Sequence, residues 1–149
     1  MKKSESKIAQ FIQQQHVVNL CAILANNQPW ACNVFYVFDK ENWCLYFLSE
    51  LKTKHAQAML HNPNVAGTIS VNPKSITKIQ GIQFSAIAEQ LIDNEASNAY
   101  KLYYSAFPFA RVMKAPIWSL RLQEIKMTNN LLGFAHKSYW QRDAKLKDH

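Results

Sequence analysis

LYFLSELKTKHAQAMLHNPNVAGTIS, residues 45–70, reads as a strand, a helix and a second strand. The strand starts two residues earlier, at WCLYFLSE (43–50), an aromatic and branched run that suits a pleated surface. Ala56, Met59 and Leu60 then recur at helical spacing and form the inward face of a helix over 52–62. Asn62, Pro63 and Asn64 stop that helix, and NVAGTISV (64–71) resumes as strand. Lys52, Thr53, Lys54 and His55 stand together where the first strand gives way to the helix. A helix start offers unpaired backbone N–H groups and the positive end of the helix dipole. An anion binds there readily, and a threonine hydroxyl and a lysine ammonium complete its shell. Without an anion, cations in a first turn oppose the dipole and cost a little stability. Two readings stay open at this point: a phosphate cradle, or a solvated helix start with Thr53 as a plain N-cap.

Upstream, VVNLCAIL (17–24) reads as strand, NNQPW (26–30) as turn, ACNVFYVFD (31–39) as strand and 39–42 as turn. With 43–50 these make an antiparallel meander. Both faces of the strands are apolar: Trp43, Leu45 and Phe47 point one way, Cys44, Tyr46 and Leu48 the other. Such a sheet needs cover on both sides, from helices or from a partner subunit. Ser4 is read as the cap of a short first helix with Ile8, Phe11 and Ile12 on one face. Downstream come a turn at 72–75 and a long strand, 79–92, bent at Gly81. A helix over 94–106 follows, capped by Asp93 and ended by Pro108. Strand 116–128 and a weaker strand at 131–140 close the order. Strands dominate and the helices are short, which fits a small closed barrel with helical plugs better than a doubly wound parallel sheet, where strand and helix would alternate regularly.

The 149 residues predict one domain spanning 1–149, with 1–4 and 144–149 as disordered tails. Hydrophobic residues at 48% against 18% charged supply a core and argue against disorder. Only three glycines are present, and neither a GxGxxG nor a GxxxxGK[ST] phosphate loop occurs. HExxH, GxSxG and zinc-type Cys/His spacings are also absent, so the reading names no metal ligand and no catalytic residue. Chemistry, if present, would rest on a cofactor. Cys21, Cys32 and Cys44 form no C-x-x-C pair and are read as buried reduced thiols of a cytoplasmic protein. No stretch approaches the ~20 apolar residues of a membrane span. The net charge of +7 collects partly at the termini, as in Lys2, Lys3, Lys7, Arg142, Lys145 and Lys147. A nucleic-acid binder would interleave exposed aromatics with Lys and Arg along one strand face, whereas here the strand aromatics neighbour other apolar residues.

The order of elements, with NVFYVFD (33–39), LYFLSELKTKHAQAML (45–60), NPNVAGTIS (62–70) and IQGIQFSAIAEQL (79–91), resembles the FMN-binding split β-barrel family of the pyridoxamine 5′-phosphate oxidases. It is most similar to a small uncharacterised bacterial branch of that family, over roughly residues 5–143. The resemblance implies a mainly β fold: a six-stranded antiparallel Greek-key split barrel with peripheral helices. It also implies a homodimer with FMN in a cleft between subunits. By that resemblance Asn33, Val34, Phe35 and Tyr36 line the isoalloxazine ring, and Leu48 and Ser49 flank the ribityl chain. Thr53, Lys54 and His55 match the phosphate segment, with Lys52 beside them, and Gln80 and Gln83 lie near the partner-subunit contact. The chain departs from the family pattern in several places. Ala31 stands where the oxidases carry an arginine, Tyr36 where they carry a substrate-contacting lysine, and Thr128 where a late-strand tryptophan belongs. An arginine–lysine pair has become Lys54–His55, a point charge and a titratable ring. The C-terminal Arg-x-His segment is missing. The expectation is therefore an FMN-binding flavoprotein, possible as an oxidoreductase on an unidentified small molecule but not as a pyridoxamine phosphate oxidase. The alternative is a ligand-binding barrel without redox turnover, holding a flavin, heme or another ligand.

Overall fold

The computed structural model describes residues 2–143. Helix α1 (Lys3–Gln14) leads into β1 (Val17–Ile23), β2 (Pro29–Phe35), β3 (Val37–Asp39) and β4 (Cys44–Leu48). Then come α2 (Lys54–His61), β5 (Asn64–Ser70), β6 (Gln80–Gln90), α3 (Asp93–Ala106), β7 (Ile117–Asn129) and β8 (Lys137–Gln141). All pairings are antiparallel, in the order β2-β1-β5-β6-β7-β4-β3, with β8 on the far half of β7. The described residues form eight strands where the resemblance implied six.

The expected meander breaks at one residue. The run read as a single strand over 31–39 is two strands, and they lie at opposite edges of the sheet. Only Tyr36 separates them, so the sheet must curl until its two edges meet there. The result is a split barrel. Tyr36 is buried, its N–H donates to the His16 carbonyl at 2.9 Å, and its hydroxyl donates to the Ile12 carbonyl at 2.6 Å. Ile12 lies in the last turn of α1, where carbonyls lack helical partners. The phenol thereby caps α1 from the seam of the barrel, and burial pushes its pKa up. Tyr36→Phe should cost roughly 1–2 kcal/mol, one buried hydrogen bond whose acceptor is left unpaired. Chemical denaturation would show it as a lower midpoint at unchanged slope.

The interior is filled by alternate strand residues, among them Leu20, Leu45, Phe47, Ile69, Ile82, Leu120 and Leu122, and by Ile8 and Ile12 of α1. The opposite face of β3, β4 and β7 is covered by α3, where Ala96, Ala99 and Tyr103 pack on Val37 and Ile117 with Leu48 beside them. The doubly apolar strands are thus covered on both sides, by the barrel interior on one and by α3 on the other, as the pattern required.

Several local expectations shift. α1 starts at Lys3 with Lys2 before it, so Ser4 lies inside the helix and caps nothing. Lys3 and Ser4 thus fall within α1, while 144–149 lie outside the described residues. The long strand is irregular at Ser85/Ala86 and not at Gly81. Ile92 precedes α3 without a side-chain cap, and Asp93 is its first residue. On α2 the inward face is Ala56, Ala58 and Met59, and Leu60 is exposed. The last apolar run is strand only over β8. Cys44 is buried, but Cys21 and Cys32 are only half-buried, and all three are free thiols. Among the described residues no helix is long and apolar enough to cross a membrane.

Candidate functional site

Thr53 ends the extended segment after β4 and caps α2. Its hydroxyl accepts from the Ala56 N–H at 3.2 Å and donates to the Glu50 carbonyl at 2.9 Å. The cap is local chemistry, so Thr53 is the N-cap that the second of the two sequence readings expects. Around it Ser49, Thr53 and His55 converge. His55 Nε2 lies 2.5 Å from Ser49 Oγ and 3.3 Å from Thr53 Oγ1, and the two hydroxyls are 3.4 Å apart. Burial holds the His55 pKa below the usual imidazole range and so favours the neutral ring. The positive charge at this corner comes from Lys52 and Lys54, both exposed.

Two residues outside the expected set hold the corner. Trp118, buried on β7, donates its indole N–H to the Ser49 carbonyl at 3.2 Å. That bond pins the turn from β4 to α2 onto the barrel. Trp30, on β2, lies under Lys54 with the ammonium 3.9 Å from its ring centroid. A cation over an indole face is favoured electrostatically. Lys54 is thereby parked on an edge strand beside the helix start. An anion that draws Lys54 away should change Trp30 emission, and Trp30→Leu should remove that part of the fluorescence response. A response unchanged in this variant would place the anion elsewhere.

β2 runs away from this corner as an edge strand, with Ala31, Asn33 and Phe35 exposed and Cys32 and Val34 packed against the core. Of the four residues expected along the ring, Asn33 and Phe35 therefore share the open face. Val34 faces inward, and the Tyr36 side chain is committed to α1. Asn33 accepts from the Asn19 side chain at 3.1 Å. Phe35 meets Phe107 edge-on, and the exposed His16 meets the same Phe107 ring. Leu48 packs half-buried under α3. Gln83 lies on the open face beside Thr68, whereas Gln80 faces the opposite way, into a shallow cavity with Lys7, Gln10 and Met127. Of the two glutamines, only Gln83 is therefore on the open face.

The open face extends over four strands. Val17, Asn19 and Cys21 of β1 pair with Phe35, Asn33 and Ala31 of β2. Ala66 and Thr68 of β5 and Gln83, Ser85 and Ile87 of β6 continue it. None of these side chains is charged, in a chain with 17 basic and 10 acidic residues. Among the described residues no cluster of three or more His, Cys, Asp or Glu is arranged to hold a metal.

No family model matches the chain. A UPF0306 protein of Serratia proteamaculans is 45% identical over 141 residues, which cover 94% of this chain and 96% of that one. The UPF0306 protein YhbP of Salmonella schwarzengrund is 43% identical with nearly the same coverage. Among solved structures, the heme binding protein from Mycobacterium smegmatis superposes with a TM-score of 0.80 at 15% identity, covering 95% of this chain and 59% of that protein. HutZ, the heme storage protein from Vibrio cholerae, gives 0.68 at 16% identity over 82% of this chain and 92% of its own. A FAD-binding protein from Mesorhizobium loti gives 0.66 at 12% identity over 85% and 94%. At such identities the likeness is one of fold.

Proposed function

Because the chain belongs to the UPF0306 family and folds as a split barrel, we propose that it binds FMN as a homodimer, with the phosphate at the start of α2 and the ring along β2. The observation that carries this reading is the convergence of Ser49, Thr53 and His55 on one helix start, with Lys52 and Lys54 beside them. The Ser49 hydroxyl and the His55 imidazole supply neutral hydrogen-bond partners, Thr53 fixes the helix start with its own proton given to the Glu50 carbonyl, and the lysines supply charge. The strand carrying Asn33 and Phe35 leads from the Trp30–Lys54 contact to the Phe107 edge, and gives an elongated ligand a polar and an aromatic contact. The face of β1, β2, β5 and β6, uncharged until Glu89 near the end of β6, suits burial against a second copy, which would close the cleft over the ligand.

Bound FMN would supply electron or hydride transfer. This chain's own residues would hold the phosphate, orient the ring and exclude water through the partner's face. Tyr36 supplies no acid or base, since its hydroxyl is occupied by α1. Oxidoreductase activity on a small molecule is the finer part of the proposal. A second reading is favoured by a separate observation: His16 is exposed beside Phe35 and Phe107, an imidazole next to an aromatic shelf, as a planar iron porphyrin would require.

The test is titration of purified protein with FMN, riboflavin and heme, followed by flavin fluorescence and Soret absorbance, with the oligomeric state measured in parallel. Micromolar binding of FMN to a dimer, with riboflavin much weaker, is expected. Heme binding lost in His16→Ala, with no FMN binding, would replace the proposal by the second reading.

A further inference from the structure

A cavity of about 510 Å³ opens between α3 and the ends of β4 and β7, away from the α2 corner. Strand register builds its floor. Cys44 lies opposite Arg121, and Tyr46 lies opposite Ser119, which in turn lies opposite Glu89. Glu95 approaches from α3, and Arg142 closes the end just after β8. The outer face that is apolar under α3 becomes polar here on three adjacent strands.

The charges are arranged in two groups. Arg142 donates to the carbonyls of Leu122, Asn42 and Trp43 at 2.7, 2.9 and 2.9 Å. Those bonds fix its guanidinium without neutralising it. Burial and then the Arg121 charge lower its pKa, as expected where two guanidiniums share a cavity. On the acidic side, Asp39 is already used by the Tyr46 hydroxyl at 2.7 Å and the Asn42 amide at 2.8 Å, which leaves Glu89 and Glu95 to face the cavity. Three carboxylates and two guanidiniums line the walls, so a ligand of net charge +1 balances them.

We propose that this cavity is a second ligand site, for a free basic amino acid, with its carboxylate between Arg121 and Arg142 and its cationic groups at Glu89 and Glu95. The size suits such a ligand, since small-molecule pockets begin near 300 Å³. Arg142 is held in advance, so little ordering is needed on binding. The site uses none of the α2 residues and stands or falls independently of the FMN reading.

The experiment is calorimetric titration of the full chain with L-arginine, agmatine and L-citrulline. Agmatine lacks the carboxylate, and citrulline keeps the shape without the side-chain charge. Saturable L-arginine binding is expected, with each analogue about tenfold weaker or more. Arg121→Gln and Glu95→Gln lie on different elements, and each should weaken L-arginine about tenfold while leaving FMN titration unchanged. No saturable binding by about 10 mM L-arginine would overturn the proposal. Binding that both variants leave intact, or that agmatine and citrulline match, would overturn it as well.

Discussion

Gly67→Ala is expected to destabilise the fold by roughly 1–3 kcal/mol, the ordinary cost of overpacking a tight interior, and Gly67→Val by more. Gly67 sits mid-strand on β5, opposite Leu20 of β1 and Phe84 of β6. A Cβ there would lie 2.5 Å from the Asn19 carbonyl and 2.5 Å from Cζ of Phe84. The Phe84 ring is buried and has little room to turn. The carbonyl belongs to a paired strand and moves only if β1 moves. Asn19 also holds Asn33, so that movement would reach the open face of β2. The control is Gly81→Ala, whose Cβ would meet the Ile69 carbonyl at 3.1 Å and should cost less. Urea midpoints of the two variants settle the comparison. Equal midpoints would contradict the β1–β5–β6 packing described here.

What the sequence made legible was local. Thr53 caps α2 through an amide three residues on, and the apolar runs at 17–24, 43–50, 64–71 and 79–92 are strands as read. Their partners were harder to read. A meander is the shortest-range pairing available, and nothing in NVFYVFD marks Tyr36 as a change of sheet edge. Its role depends on Ile12, in a different element. On α2, Ala56 and Met59 face inward as expected and Leu60 does not. Leu60 is the more hydrophobic residue, but Ala58 is the one that is buried, on a helix that packs against β1 and β2. At the site, residue types within four positions of Thr53 were found. Trp118 and Trp30 were not, since each reaches the corner from a distant strand. In the sequence Trp30 is marked only by its place at the end of the NNQPW turn (26–30).

Lys54→Glu should lower FMN affinity about a hundredfold or more and leave riboflavin affinity unchanged. Reversing this charge removes a charge-assisted contact of roughly 1.5–3 kcal/mol and sets a carboxylate against the phosphate. The side chain is exposed, so the fold should survive. His55 then gives the site a pH dependence whose sign follows from its environment. Burial depresses its folded pKa below the free value of about 6.5, so the unfolded chain takes up the proton first. This group's contribution to stability is therefore complete above about pH 6.5 and is lost as pH falls toward the depressed folded value. A phosphate beside the ring reverses the preference, because an anion favours imidazolium. Binding should take up a proton, and FMN affinity should rise between about pH 7.5 and 6.5, above the second ionisation of a phosphate monoester near 6. The groups facing His55 from β4 and the α2 cap are the Ser49 and Thr53 hydroxyls, which do not titrate in this range. His55→Gln should keep hydrogen bonding and flatten the slope. A slope equal in wild type and His55→Gln would mean that the phosphate lies elsewhere. Loss of FMN binding in Lys54→Glu would then reflect a long-range field, which about 0.5 M salt should screen away.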